Sequence, residues 1–154
     1  MSYPLLKTIH IFGVLLFLGN IIVSGFWKAW ADRSRDIDVI RYASRMIIRT
    51  DMIFTIVGIV VLLGAGHAMA PAYGSVLEVP WIAWSYLLLA GSALIWLVVL
   101  VPVQLGQSRL LRRPAPDNIV PARYWLLARL WTLAGIIATL LPLPAVYLMV
   151  AKPG

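Results

Sequence analysis

The chain contains no cysteine, and only 12% of its 154 residues are charged. The absence of cysteine excludes disulfides, cysteine-held iron–sulfur clusters and thiolate metal sites. The charged share is about half of that in a soluble domain. Hydrophobic residues make up 62% of the chain, and a fold of this size has too much surface to hide them all from water. The sequence therefore predicts a single domain, residues 1–154, whose solvent is lipid.

Four apolar stretches are long enough to cross a bilayer, which takes about 20 helical residues. They cover approximately residues 3–27, 49–70, 80–105 and 124–151. Backbone polar groups must be satisfied inside hydrocarbon, so long apolar stretches of this kind favour helices. The predicted fold class is an all-α membrane protein, a bundle of four transmembrane helices.

Basic residues are concentrated in two of the connections and give the chain its formal net charge of +7. Six follow the first span, and five surround the connection between the third and fourth spans: Lys28, Arg33, Arg35, Arg41, Arg45, Arg49, Arg109, Arg112, Arg113, Arg123 and Arg129. The positive-inside rule then places both connections in the cytoplasm and both termini outside. The charge is explained by a lipid partner, and no nucleic-acid partner is expected.

The connection after the first span has a helical pattern of its own. Ile37, Ile40 and Ile47 recur at helical spacing, and a second stripe is basic, with Arg41 and Arg45. This pattern predicts a short amphipathic cytoplasmic helix between helices 1 and 2 that lies on the membrane surface. The basic stripe leaves two interpretations open, a lipid-facing anchor or a site for an anionic ligand.

Polar residues inside a span are costly and need a reason. His10, Gly13 and Asn20 share one face of the first span, and Gly13 is expected to clear space beside the imidazole of His10. His67 lies near the outer end of the second span, close to Met69. Two imidazoles can ligate one haem iron, and a His–Met set can hold copper. The alternative is that His10 is a packing residue and His67 an interfacial one.

The inner end of the second span carries an acid, Asp51, and Arg129 enters the fourth span at similar depth. A charge in lipid must find a partner, which predicts a structural Asp51–Arg129 ion pair. A proton-handling role for the pair is the alternative. The sequence shows no phosphate-binding loop, carboxylate pair or nucleophile–base set, so whether the protein is an enzyme stays open.

Several short segments resemble a known family. The opening Tyr3-Pro4-Leu5-Leu6-Lys7-Thr8-Ile9-His10-Ile11, Arg45 through Gly58, Pro80-Trp81, and Arg123 through Pro153 are similar to HemJ-type protoporphyrinogen oxidases. Those are four-span bacterial membrane proteins related to the CopD-like copper-resistance family, and the resemblance extends to a further bacterial integral-membrane family within that group. It implies a place in the bacterial cytoplasmic (inner) membrane, and it implies that His10 binds haem b. The lysine that HemJ proteins use early in their third span is absent here.

The leading hypothesis is a haem-b-binding membrane protein that performs electron transfer or porphyrin-type oxidation. His10 is the expected axial ligand, with His67 or an external molecule on the other side of the iron, and Gly13 and Asn20 on the cofactor-binding face. One alternative is a cofactor-free accessory or structural subunit. Another is a copper or small-solute permease component. Besides lipid, the partners that we expect are further copies of the chain in a homo-oligomer, or the subunits of a larger membrane complex.

Overall fold

The computed structural model describes residues 1–76, 78–112 and 119–153. These residues form helices and turns and include no strand. The α-helices are α1 (Tyr3–Ser34), α2 (Ile37–Thr50), α3 (Ile56–Met69), α4 (Pro80–Ile95), α5 (Val101–Arg112), α6 (Ala122–Leu140) and α7 (Pro142–Ala151). Two short π-helical segments, Asp51–Thr55 and Trp96–Leu100, join α2 to α3 and α4 to α5.

The helices combine into four long rods. The rods Tyr3–Ser34, Ile37–Ala72, Pro80–Arg112 and Ala122–Ala151 are each long and apolar enough to cross a membrane. The prediction of four helices with the length and composition of membrane spans is confirmed for the described residues. Each rod exceeds the roughly 20 residues that hydrocarbon requires, because it continues past the apolar stretch at one end.

The segment that follows the first span is the beginning of the second rod. Its apolar residues Ile37, Ile40 and Ile47 are 2%, 0% and 2% exposed. Ile37 and Ile40 pack in one cluster with Leu111 and Tyr124, from the third and fourth rods. The apolar stripe therefore faces protein, which corrects the expectation that it anchors a surface helix in lipid. The position of this helix in the cytoplasm stays a prediction.

The two ends of the bundle differ in charge. The same apolar cluster contains residues from the end of α1, the start of α2, the end of α5 and the start of α6. Both basic connections therefore start from one end of the bundle, which we call the basic end. At the opposite end, the hydroxyl of Tyr73 forms hydrogen bonds with both Tyr3 and Lys152. This antiparallel arrangement is the one that the positive-inside argument requires.

The first two rods approach each other at backbone distance. A Cβ atom added to Gly13 would lie 2.5 Å from the backbone nitrogen of Leu62, and one added to Gly58 would lie 2.7 Å from that of Phe17. Small residues permit this approach between helices in lipid. The space beside Gly13 is filled by the Leu62 backbone, which corrects the expectation that Gly13 opens room for a cofactor.

Gly13→Ala and Gly58→Ala are expected to destabilise the bundle, because the new methyl groups overlap backbone atoms that cannot move independently. Overpacking of this kind costs about 1–3 kcal/mol in the free energy of unfolding. Unfolding in detergent, followed by tryptophan fluorescence, measures the effect. Gly19→Ala is the matched control, since nothing lies within 4 Å of its Cβ position. Equal stability of the three variants would contradict the proposed crossing.

The membrane orientation is testable on a background without cysteine. We expect a cysteine in place of Ser75 to react with a membrane-impermeant thiol reagent in intact cells. A cysteine in place of Arg33, at the basic end, is expected to react only after lysis. The reverse pattern would overturn the positive-inside assignment.

Candidate functional site

A cavity of about 440 Å³ lies in the half of the bundle opposite the basic end. All four rods contribute to its wall, which includes His10, Gly66, Ser85 and Pro142. Its volume falls in the range of small-molecule and cofactor pockets, and most of the lining side chains are apolar, as such pockets require.

His10 is fixed on the wall of this cavity by a bond to the neighbouring helix. Its Nδ1 lies 2.7 Å from the carbonyl oxygen of Leu62. A carbonyl oxygen only accepts, so Nδ1 is the donor, and in the neutral imidazole Nε2 then keeps its lone pair. The ring fits because Gly66 has no side chain, and a Cβ there would lie 3.1 Å from the imidazole. Metal-binding histidines are commonly oriented by the same Nδ1–H donation to a carbonyl.

Polar groups gather where the cavity reaches the end of the bundle. The hydroxyls of Tyr3 and Tyr73 lie 2.5 Å apart, and the Lys152 ammonium donates to Tyr73 at 2.6 Å. This hydrogen bond lowers the pKa of Tyr73 and raises the pKa of Lys152. Lys7 also lines the cavity. The rim therefore combines two cationic side chains with an otherwise apolar pocket.

The second histidine lies elsewhere. His67 is exposed, does not line the cavity, and has its Nδ1 3.3 Å from the hydroxyl of Tyr86. The structure therefore does not bring His10 and His67 to one cavity, although Met69 does line it. Among the described residues there is no cluster of three or more His, Cys, Asp or Glu side chains that could hold a metal ion.

Asp51 lies in a separate polar cluster nearer the basic end, which we call the Asp51 cluster. Its Oδ1 accepts from the Nδ2 of Asn20 at 2.8 Å, and its Oδ2 accepts from the Nε2 of Gln104 at 2.9 Å. The hydroxyl of Thr55 donates to Oδ1 at 3.3 Å and accepts from Asn20 at 2.9 Å. Asp51 is 4% exposed and Thr55 is fully buried.

These contacts correct two expectations. Asp51 forms no ion pair with Arg129. The salt bridges among the described residues join Lys28 to Asp32 and Arg41 to Asp38. Arg129 is exposed on α6, where a long cationic side chain can reach the polar interface. Asn20 belongs to the Asp51 cluster and does not line the cavity, so its predicted place on the cofactor-binding face is not supported.

A third cluster closes the basic end. Lys28, 3% exposed, donates to Asp32 at 2.5 Å and to the hydroxyl of Tyr124 at 2.7 Å. Tyr124 in turn donates to Asp32 at 2.6 Å. The spacing of Lys28 and Asp32, four residues apart on one helix, is a pairing signal in the sequence. Nothing in the sequence indicates the third partner, which comes from the fourth rod.

Gln104→Leu is expected to lower the free energy of unfolding, because Oδ2 of the buried Asp51 loses its hydrogen-bond donor. The cost of such a loss is about 1–3 kcal/mol. Gln107→Leu is the matched control: Gln107 is also buried on α5, but its Nε2 has no hydrogen-bond partner among the described residues. Thermal unfolding in detergent compares the two variants with the wild type. Wild-type stability of Gln104→Leu would contradict a stabilising role for this hydrogen bond.

The architecture defines a class, the four-span helical membrane proteins. The chain belongs to the family described as predicted integral membrane protein (DUF2269), which matches residues 4–153. No curated protein and no solved structure matches the chain. These findings support an integral membrane protein, and they give no support to the expected resemblance to HemJ-type or CopD-like proteins.

Proposed function

We propose that this integral membrane protein binds haem b in the cavity, with His10 as an axial ligand. The observation that carries the proposal is the hydrogen bond from Nδ1 of His10 to the Leu62 carbonyl, 2.7 Å long. It fixes the tautomer in which Nε2 is available to a metal, and His10 lines the cavity. Nε2 of a neutral imidazole is a common ligand of haem iron.

The chemical character of the cavity lining supports the proposal. The apolar walls suit the macrocycle, and the rim lysines Lys7 and Lys152 suit the two propionate carboxylates by charge. Met69, on the second rod, lines the same cavity. Its thioether is the candidate that this rod offers for a second protein ligand. Gly13, Asn20 and His67 do not line the cavity, so the proposal assigns none of them a contact with the haem.

A bound haem supplies one-electron chemistry, which suits electron transfer or the oxidation of a porphyrin-like substrate. The protein's own side chains hold the ring through His10, exclude water with the apolar wall, and orient the carboxylates through the rim. The hydrogen-bonded set Tyr3, Tyr73 and Lys152 ties both ends of the chain to the outer connection and shapes the rim.

The copper permease alternative is weaker than the haem proposal. It needs His10, His67 and Met69 to act together, and His67 lies outside the cavity that the other two line.

The test is the absorbance spectrum of the full chain, purified in mild detergent after expression with ample haem, before and after dithionite reduction. We expect a Soret band that sharpens on reduction in the wild type and is lost in His10→Ala. His67→Ala is the matched control, because it removes the only other histidine, and it is expected to keep the band.

Two outcomes would contradict the proposal. A colourless wild-type protein would leave His10 as a packing residue that bonds α3, and would favour the cofactor-free accessory subunit. A band that survives in His10→Ala and disappears in His67→Ala would move the haem to the surface of the second rod. Size-exclusion profiles of both variants show whether the loss of colour reflects misfolding.

A further inference from the structure

A second, smaller cavity lies at the basic end, between α2 and α5. We call it the arginine cleft. Its volume is about 240 Å³, and its lining residues are Arg41, Ser44, Arg45, Ser108, Leu111 and Arg112. None of these residues lines the larger cavity or belongs to the Asp51 cluster. The cleft is therefore a feature that the proposed haem site does not explain.

The wall of the arginine cleft contains a buried hydroxyl without a partner. Ser44 is 6% exposed, and its Oγ has no hydrogen-bond partner among the described residues. Ser108, across the cleft on α5, is 7% exposed. A buried polar group that makes no hydrogen bond is costly, and native structures rarely leave one in that state. The Ser44 hydroxyl is thus a donor on the wall of the cleft that a ligand oxygen could satisfy.

The charge around the cleft is positive. Arg41 is partly committed, since its Nε donates to the carbonyl of Leu111 at 2.8 Å and its guanidinium also pairs with Asp38. That contact satisfies a carbonyl at the end of α5, where the helix dipole is negative. Arg45 and Arg112 are exposed, and neither forms an ion pair among the described residues. They are the cations that the cleft presents to a ligand.

We propose that the arginine cleft binds one anionic phosphate group, which is carried either by a lipid headgroup or by a soluble phosphate compound. Guanidinium groups match phosphate oxygens in geometry, and hydroxyl donors such as that of Ser44 complete the coordination. The cleft lies at the end of the bundle where the rods leave the apolar zone and meet the polar interface. Basic pockets between transmembrane helices in this position bind anionic headgroups.

The probes are a dispersed short-chain phosphatidylglycerol, phosphatidylcholine with the same chains, and inorganic phosphate, each titrated into the delipidated full chain in nonionic detergent. Native mass spectrometry counts retained lipid, and ³¹P NMR line broadening follows phosphate. We expect one tightly retained phosphatidylglycerol per chain. The double variant Arg45→Gln/Arg112→Gln is expected to weaken its binding about thirtyfold, because two charge-assisted hydrogen bonds are lost.

The matched control is Arg49→Gln/Arg109→Gln. It removes the same charge from the same two rods, at exposed positions that do not line the cleft. It is expected to bind phosphatidylglycerol nearly as the wild type does. Ser44→Ala keeps the net charge and is expected to weaken binding through the lost hydroxyl, which distinguishes a built site from a general attraction to anionic lipid.

The outcomes separate the sources of the phosphate. Preference for phosphatidylglycerol supports a lipid headgroup, and inorganic phosphate that competes with it at similar concentration supports a soluble ligand for the same cleft. Equal loss in the cleft and control double variants would overturn the proposal, because only the total charge would then matter. Equal retention of phosphatidylcholine would overturn it as well.

Discussion

Helices in lipid gain little from hiding apolar side chains from one another, because the lipid tails are just as apolar. This bundle therefore depends on close backbone approach and on polar groups that have no water to bond. Close backbone approach holds α1 against α3, where Gly13 meets Leu62 and Gly58 meets Phe17. Polar bonding holds the Asp51 cluster, in which Asn20, Thr55 and Gln104 bring together three rods. Both contacts fix the depth of each rod against its neighbour.

The depth set by these contacts is also what places the candidate site. The glycine crossing presses α3 against α1, so that the Leu62 carbonyl reaches Nδ1 of His10. One turn further along α3, Gly66 leaves room for the ring. The same crossing brings Leu62 and Phe17 to the floor of the cavity, where both line it. Packing residues and site residues are thus neighbours on the same two faces, and a change in one set alters the other.

Hydropathy was sufficient to predict the four spans, since their number depends only on apolar length. The ends of the rods were harder to predict, because a helix continues past the membrane when protein covers its apolar face, as with Ile37 and Ile40. The partner of Asp51 was not predictable in the same way. A carboxylate in lipid needs donors, but the sequence does not show whether a distant arginine or nearby amides supply them. In the structure the donors are the side-chain amides of Asn20 and Gln104.

The separation of the two histidines bears on which residues would hold a haem in the proposed site. Here His67 bonds Tyr86 outside the cavity, so His10 is the only imidazole in the wall. His10 would therefore hold a haem without help from His67, and Met69 is the wall residue that would take part if a second protein ligand were needed. The group would supply one-electron chemistry, which serves electron transfer and porphyrin-type oxidation alike.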